Sequence, residues 1–465
     1  MFTAMSVAWT TAQVLALSPD EKSAQNGKGL ANPSKWQTLG TTQTTTWGEC
    51  RGSGKQPYQT QIDLTEPAFR CSCPSRKFPC KHALGLFLLL TGQPTAFTED
   101  SPPDWVQDWL AKRSQATQKK QAQQEQPKAT VDPAAQAQRL QKREAKVQAG
   151  LADLDRWLRD FIRQGLANAP SLPYSFWDHP AARMVDAQAP ALARRLRELA
   201  SLPHAGKDWP SRLLAELGLL HLLIQGYQRQ ESLSPSVQAE VRSQVGWTIQ
   251  QEDLLTAAHQ AGSEIETLHD TWAVLGMRIS TEENLRLQRV WLQGQTGRFA
   301  VILSFTHGSS PLETSLVPGT ALEATLVFYP GLYPLRALVQ NRGDALPLSC
   351  PSSAIAMAVD VDQALPVGRS VTIASGITAY GHAMAQNPWL TDCPLFLDEV
   401  IPCPQASGWV LKDCEGNQLP LRPQFTQTWE LLALSGGQPL RLFGEWDGRS
   451  LLPLSMWLDD QIIAW

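Results

Sequence analysis

The sequence has no apolar run long enough to cross a bilayer. Its longest, Ala83 to Leu90, is far short of the roughly 20 residues a spanning helix needs. It also lacks a basic stretch ahead of an apolar core near its start: Val14-Leu15-Ala16-Leu17 runs straight into Ser18, Asp20 and Glu21, which is not the pattern of a secretory leader. Cysteine is sparse, eight in 465 residues, and unevenly spaced, which excludes the dense disulfide framework of a small secreted domain. Together these absences point to a reducing, cytoplasmic location with no membrane association. An excess of positive charge is missing too. The 40 Lys and Arg stand against 44 Asp and Glu, a net −4, so the molecule as a whole is not coated in basic surface for a duplex. The usual catalytic signatures are also absent. There is no H-E-x-x-H and no G-x-S-x-G, while Gly52-Ser53-Gly54-Lys55 lacks the spacing of a phosphate loop and runs into Gln56-Pro57 where a helix should start. Asp178-His179, His204 with Asp208, and His269-Asp270 each set a histidine beside an acid, but neighbours in sequence are expected as caps or surface contacts. The chain is read as non-enzymatic.

What is present is a soluble composition, 43% apolar and 18% charged, on a chain long enough for about three domains. The β-branched run Thr41 to Trp47, the turn at Arg51 to Gly54 and the alternation from Tyr58 to Leu64 predict a β-hairpin. A short apolar helix follows from Ala83 and stops at Thr91-Gly92-Gln93-Pro94. A Pro-punctuated, then Gln/Lys/Ala-rich stretch predicts a flexible linker over 96–135. Val147, Leu151, Leu154, Leu158, Phe161 and Ile162 recur at three and four residues, one apolar stripe on a long helix; Pro190 to Leu199 and Arg212 to Gln225 continue the helical character. Strand-like runs then appear at Val290 to Leu292, Phe299 to Phe305, Ala324 to Tyr329 and Leu335 to Val339. After a helix near Thr378 to Asn387 they resume at Gly408 to Lys412, Trp429 to Leu434, Leu440 to Trp446 and Leu451 to Trp457, with Asp447-Gly448 as a hairpin turn. The expected architecture is α+β and multidomain: a small N-terminal β-hairpin and helix module over 1–95, the linker, a helical domain over 136–265 and a mixed β-rich domain over 266–465.

Charge is divided along this plan. Residues 1–95 hold nine bases against five acids, residues 96–110 hold four acids and no base, and residues 111–150 hold nine bases against three acids; the remainder is acidic, 22 bases against 32 acids. Attraction to phosphate would have to come from the first third of the chain.

The segment that carries chemistry is Phe69-Arg70-Cys71-Ser72-Cys73-Pro74-Ser75-Arg76-Lys77-Phe78-Pro79-Cys80-Lys81-His82. It offers three thiolates and one imidazole as C-x-C followed by C-x-H, the donor set that tetrahedral zinc takes. Residues two apart project to one side of an extended chain, so Cys71 and Cys73 form one edge of the tetrahedron. Cys80 and His82 supply the other where the helix begins, near the positive end of its dipole, which favours thiolate. Cys71 and Cys73 are too close to bridge comfortably as a disulfide. Four protein donors leave no open position, so the zinc is structural. Arg51, Lys55, Arg70, Arg76, Lys77 and Lys81, interleaved with Trp47, Tyr58, Phe69 and Phe78, would contact nucleic acid or a protein partner; the aromatics serve equally well as a small core. Cys393, Cys403 and Cys414 lack a nearby histidine and are expected as buried free thiols, with convergence on a second metal the alternative; Cys50 and Cys350 are given no role.

The segment resembles the SWIM zinc finger, whose pattern is C-x-C, a variable loop and C-x-H, in the form seen in bacterial SWIM zinc finger family proteins. The resemblance extends through Trp47 to Gly54, Pro57-Tyr58 and Leu17 to Asp20, and downstream through Ala182 to Pro190 and Pro334 to Leu338. It implies a β-hairpin and helix around one zinc held by Cys71, Cys73, Cys80 and His82, and binding to DNA or protein partners. It also implies partnership with MoxR-type ATPases and von Willebrand A-domain proteins; the long acidic remainder, in a chain with 17 tryptophans, is itself read as scaffold or regulator.

Overall fold

The computed structural model describes residues 9, 11–19, 21–52, 56–65, 68–75, 77–125, 133–260, 262–282, 285–307, 315–348, 372–406, 408–458 and 461–465. Short helices α1 (Thr11–Ala16) and α2 (Glu21–Lys28) precede strands β1 (Trp36–Thr41), β2 (Thr45–Cys50), β3 (Tyr58–Asp63) and β4 (Ala68–Cys71). These strands pair antiparallel in the order β4-β3-β2-β1, and β5 (Thr98–Glu99) adds to β1 in parallel. The single strand expected over Thr41 to Trp47 is interrupted: it takes in the end of β1, the turn at residues 42–44 and the start of β2. The Thr42 hydroxyl accepts the amides of Thr44 and Thr45 at 3.3 and 3.1 Å, and this local competition for backbone donors ends β1. The β2–β3 hairpin forms as expected.

Helix α3 (Lys81–Gly92) is buried from His82 to Leu89, because it lies between one face of the sheet and α1 and α2. Its approach to α2 is close: a Cβ on Gly85 would come within 2.6 Å of Leu30 Cβ, and one on Gly27 within 2.8 Å of Leu84 Cβ. Cys50, Ile62 and Phe69 from the sheet meet Leu84, Phe87 and Leu88, and Val317, far along the chain, closes this core.

The stretch expected as a flexible linker carries helix α4 (Asp104–Glu125). Gln, Lys and Ala form helix readily even when they bury little, so their abundance reports the missing core face and not the backbone state. Val106 is fully buried and Arg113 Nε donates to Asp63 Oδ2 at 3.1 Å, which ties α4 to β3. The helical part follows as α5 (Pro133–Gln164), α6 (Tyr174–Asp186), α7 (Pro190–Leu199), α8 (Trp209–Gln228), α9 (Pro235–Val245) and α10 (Gln251–Ala258). On α5, Val147, Leu151, Leu154, Leu158 and Phe161 are buried as the stripe predicts, while Ile162 is 42% exposed: one residue past Phe161, it points about 100° away from that face.

Strands β6 (Thr267–Glu282), β7 (Leu285–Gly294), β8 (Phe299–His307), β9 (Thr320–Phe328) and β10 (Arg336–Arg342) form the next unit, with β11 (Leu346–Pro347) on β9. Strand β10 pairs in parallel with β8 and antiparallel with β9, which closes β6-β7-β8-β10-β9 into a barrel. This is the strand order of an OB barrel. The long β6 was not apparent in the sequence, where the polar start Thr267 to Thr271 hides its alternation.

The last unit comprises α11 (Ile373–Gln386), β12 (Cys393–Gln405), β13 (Gly408–Lys412), β14 (Gln418–Pro420), α12 (Thr428–Ser435), β15 (Leu440–Trp446), β16 (Leu451–Leu458) and β17 (Gln461–Ala464), its strands ordered β14-β13-β12-β15-β16-β17. Trp429 to Leu434, expected as a strand, is helix α12. A run this short fits either period, and here Leu431 is buried while Trp429 stays 68% exposed.

Phe396, Phe443 and Trp457 of this sheet pack on Trp291, Phe299 and Val301, covering the β7–β8 face of the barrel. OB barrels bind oligonucleotides on the corresponding face. Glu445, fully buried, accepts from Trp291 Nε1 at 2.9 Å and from Arg289 at 3.2 Å, and also pairs with Arg278; Asp392 is shared between Arg289 at 2.6 Å and Arg422 at 2.8 Å. Burial opposes the charge of Asp392, yet the two guanidiniums hold its carboxyl below the usual carboxylate range. The helical part is joined to this body by Trp389, which enters the helical core and donates to the Leu219 carbonyl at 3.1 Å, and by Glu240, which accepts the Leu332 amide.

Candidate metal centre

Each donor is placed by a local feature of the chain. Cys71 is the last residue of β4, opposite Thr60 on β3. Ser72 then bonds Gln59 twice, its amide to the Gln59 carbonyl and its hydroxyl accepting the Gln59 amide, both at 2.9 Å, which holds the turn that brings Cys73 round. Cys80 is the N-cap of α3, in extended conformation; its carbonyl accepts the Leu84 amide, and its thiol makes no capping bond, which leaves it to the cluster. His82 sits in the first turn of α3, 5% exposed, with its ring against Tyr58 at 4.8 Å between centroids.

The sulfurs of Cys71, Cys73 and Cys80 and a ring nitrogen of His82 all lie within 4.8 Å of one another. Cys71 Sγ is 3.8 Å from His82 Nδ1 and 3.2 Å from Thr60 Oγ1. Donors about 2.3 Å from a tetrahedral zinc stand about 3.7 Å apart, so this set fits the ion, and Thr60 supplies an outer partner to one thiolate.

The site's titration is that of crowded donors. Hydrogen bonding with Cys71 and Cys80 pulls the Cys73 thiol well below its ordinary range, while hydrogen bonding with Cys71 and Cys73, together with burial, pushes Cys80 well above. Burial works against protonating His82, but Cys71 and Cys73 outweigh it and raise the imidazole to about 9. A divalent cation among these atoms relieves the competition, since thiolates and neutral imidazole are the forms it binds.

Residues 58–90 match the SWIM zinc finger family. This chain carries a SWIM zinc finger. Residues 142–245 match the SWIM-associated four-helix bundle domain, which takes in most of α5 and all of α6 to α9. No curated protein and no solved structure matches the chain. The SWIM match opens at the first residue of β3, so it spans Thr60 and the four donors; β1 and β2 lie before it. The finger holds one structural zinc ion.

Of the other residues singled out in the sequence, Arg51, Arg70, Lys77 and Lys81 are exposed on the SWIM finger, and Lys55 and Arg76 lie outside the described residues. They do not form one face. Phe69 packs in the α3 core, so Arg70 between it and Cys71 projects from the opposite side of the sheet. Lys35, which the sequence reading missed, joins the zinc side. Its carbonyl accepts the Arg51 amide at 2.9 Å, and with Lys81 it pulls on the Cys50 thiol, which burial nevertheless raises. Its only signal was its place before Trp36, whose register partner is Cys50. The aromatic residues are mostly core: Trp47 and Phe69 are each 5% exposed, and Phe78 packs edge-on against Phe69.

Among the described residues no second metal-donor cluster forms. Cys393 is buried, its thiol pushed up to about 12 by burial, Cys403 is half-buried and Cys414 exposed; Cys350 lies outside the described residues. Asp178 pairs with Arg197, Asp208 with Arg449, and His269 bonds Thr325, so in each sequence-adjacent pair one member is engaged elsewhere.

Proposed function

We propose that the SWIM finger is a zinc-stabilised docking module whose partner is a protein, and that the helical and β parts scaffold or regulate the resulting complex without catalysis. The observation that carries this reading is the pairing of a closed Cys3His site with exposed bases around it and buried aromatics beneath. Lys35, Arg51 and Lys81 are exposed to acidic groups, while Trp47 and Phe69 are not available to stack on bases. The covered β7–β8 face of the barrel supports the same preference. Among the described residues no helix is long and apolar enough to cross a membrane, and the scaffold is read as cytoplasmic. A MoxR-type ATPase or a von Willebrand A-domain protein is the first bait to try, on the strength of the resemblance.

The test is a native pull-down with the zinc-loaded full chain, with and without nuclease, beside a Cys80→Ser control. A protein that survives nuclease and disappears with Cys80→Ser is the expected result. Capture that vanishes with nuclease, together with DNA binding that falls steeply with salt, would replace this reading with a nucleic-acid one.

A further inference from the structure

The cluster of Cys71, Cys73, Cys80 and His82 lies at one edge of the N-terminal sheet, at β4; the opposite edge, at β1 and β5, carries a groove of about 510 Å³. Thr38, Gly40, Trp47 and Glu49 line it from the sheet, Asp100 from the segment leading into α4 and Trp105 from the first turn of α4. The indole of Trp47 lies directly on Gly40, where a Cβ would come within 2.4 Å of the ring, so glycine is what lets the aromatic surface seat there. Strand β5 pairs only with Gly40 and Thr41. Among the described residues no strand stands beside Trp36 to Thr38 on that side, while the Leu39 carbonyl accepts the Thr98 hydroxyl at 2.9 Å, so a short length of backbone edge is open.

The groove is also acidic without compensation. Glu49 accepts from the Thr38 hydroxyl and the Gln59 amide group, and Asp100 from the Ser101 amide; among the described residues neither meets a cation. Glu99, Asp104 and Asp108 stand exposed nearby in the chain, within the stretch 96–110 that contains no Lys or Arg.

We propose that this groove takes an extended lysine- or arginine-bearing segment of a partner protein. An open strand edge receives extended chain, alternate side chains of which point to one side. Cationic side chains lay their aliphatic stems along the half-buried indole of Trp105 and carry their charge to Glu49 and Asp100. An acidic peptide or a nucleic acid is repelled by the same carboxylates. The surface lies at the far edge of the sheet from the zinc and does not involve Arg51, Lys77 or Lys81, so it goes beyond the docking already proposed.

The test uses the zinc-loaded full chain and two labelled peptides, one alternating Lys with Thr and one alternating Glu with Thr, read by fluorescence anisotropy. The Lys peptide should bind and the Glu peptide should not. The double variant E49Q/D100N, which keeps shape and zinc content, should weaken the Lys peptide by about tenfold or more, and K77E/K81E should leave it unchanged. Equal binding of both peptides, no binding of the Lys peptide, or full affinity in E49Q/D100N would overturn the proposal. Because K77E/K81E reports on the zinc side alone, failure of the two readings is distinguishable.

Discussion

The SWIM finger and the C-terminal β body both bury apolar sheet faces, but they complete their structures differently. In the finger one helix, α3, and two short helices cover one sheet face, and the chain from Cys71 to His82 is fixed by four donor atoms converging on a metal. In the β body two sheets cover each other through Trp291, Phe299, Phe396, Phe443 and Trp457, and the charges caught between them are neutralised by one another: Glu445 and Asp392 against Arg278, Arg289 and Arg422. A small unit thus draws on metal binding for its folding free energy, whereas a larger one can rely on packing and a paired ionic network. Neither is wholly self-contained. Val317 of the body closes the finger's core, and Trp389 enters the helical bundle.

The sharpest way to break this comparison is to remove a donor. Cys80→Ser should abolish stoichiometric zinc and unfold the 58–90 region, since zinc binding in such sites is worth about 10 kcal/mol or more, while the β body keeps its unfolding transition. Metal analysis with near-UV circular dichroism checks this; a variant with full zinc and a native spectrum contradicts it. Next in size is Glu445→Gln, which leaves the half-buried Arg278 and Arg289 facing a neutral group, Arg289 keeping only Asp392. It should cost about 3 kcal/mol in denaturant unfolding of the β body and leave zinc content unchanged.

The pH dependence sharpens the same contrast. Asp392 is held below its ordinary value in the folded state, so its contribution is present above about pH 4 and is lost as the pH falls through the folded value. Acid titration should therefore release zinc from the finger first, as protons compete for the thiolates, and weaken the β body later. Asp392→Asn should flatten the second, acid-side loss of stability.

The smallest effect is at Ile162: Ile162→Ala should change stability by no more than about 0.5 kcal/mol, whereas Leu158→Ala should cost about 2–5 kcal/mol, because only Leu158 faces the helical core. Three- and four-residue spacing gave both the same standing in the sequence. The zinc donors were fully legible, since C-x-C and C-x-H carry their geometry in short local spacing. So were the helices with strong apolar stripes and the strands β7 to β10. What escaped depended on distant partners. Strand β6 begins with polar residues and is fixed by pairing with β7 and β9; α12 owes its state to the burial of Leu431; and α4 has too little apolar surface to announce itself. Lys35 and Arg51 meet near the zinc only because β1 and β2 pair, and the groove at Glu49 and Asp100 exists only because β5 returns to β1 from across α3.

The central claim is that zinc organises the finger alone while the rest stands on its own packing. Hydrogen exchange of the full chain, before and after zinc chelation, tests it most directly. The account predicts that chelation strips protection from β3, β4 and α3 and leaves it in α5 to α9 and in β6 to β17. Unchanged protection in the finger, or its collapse throughout the chain, would contradict it.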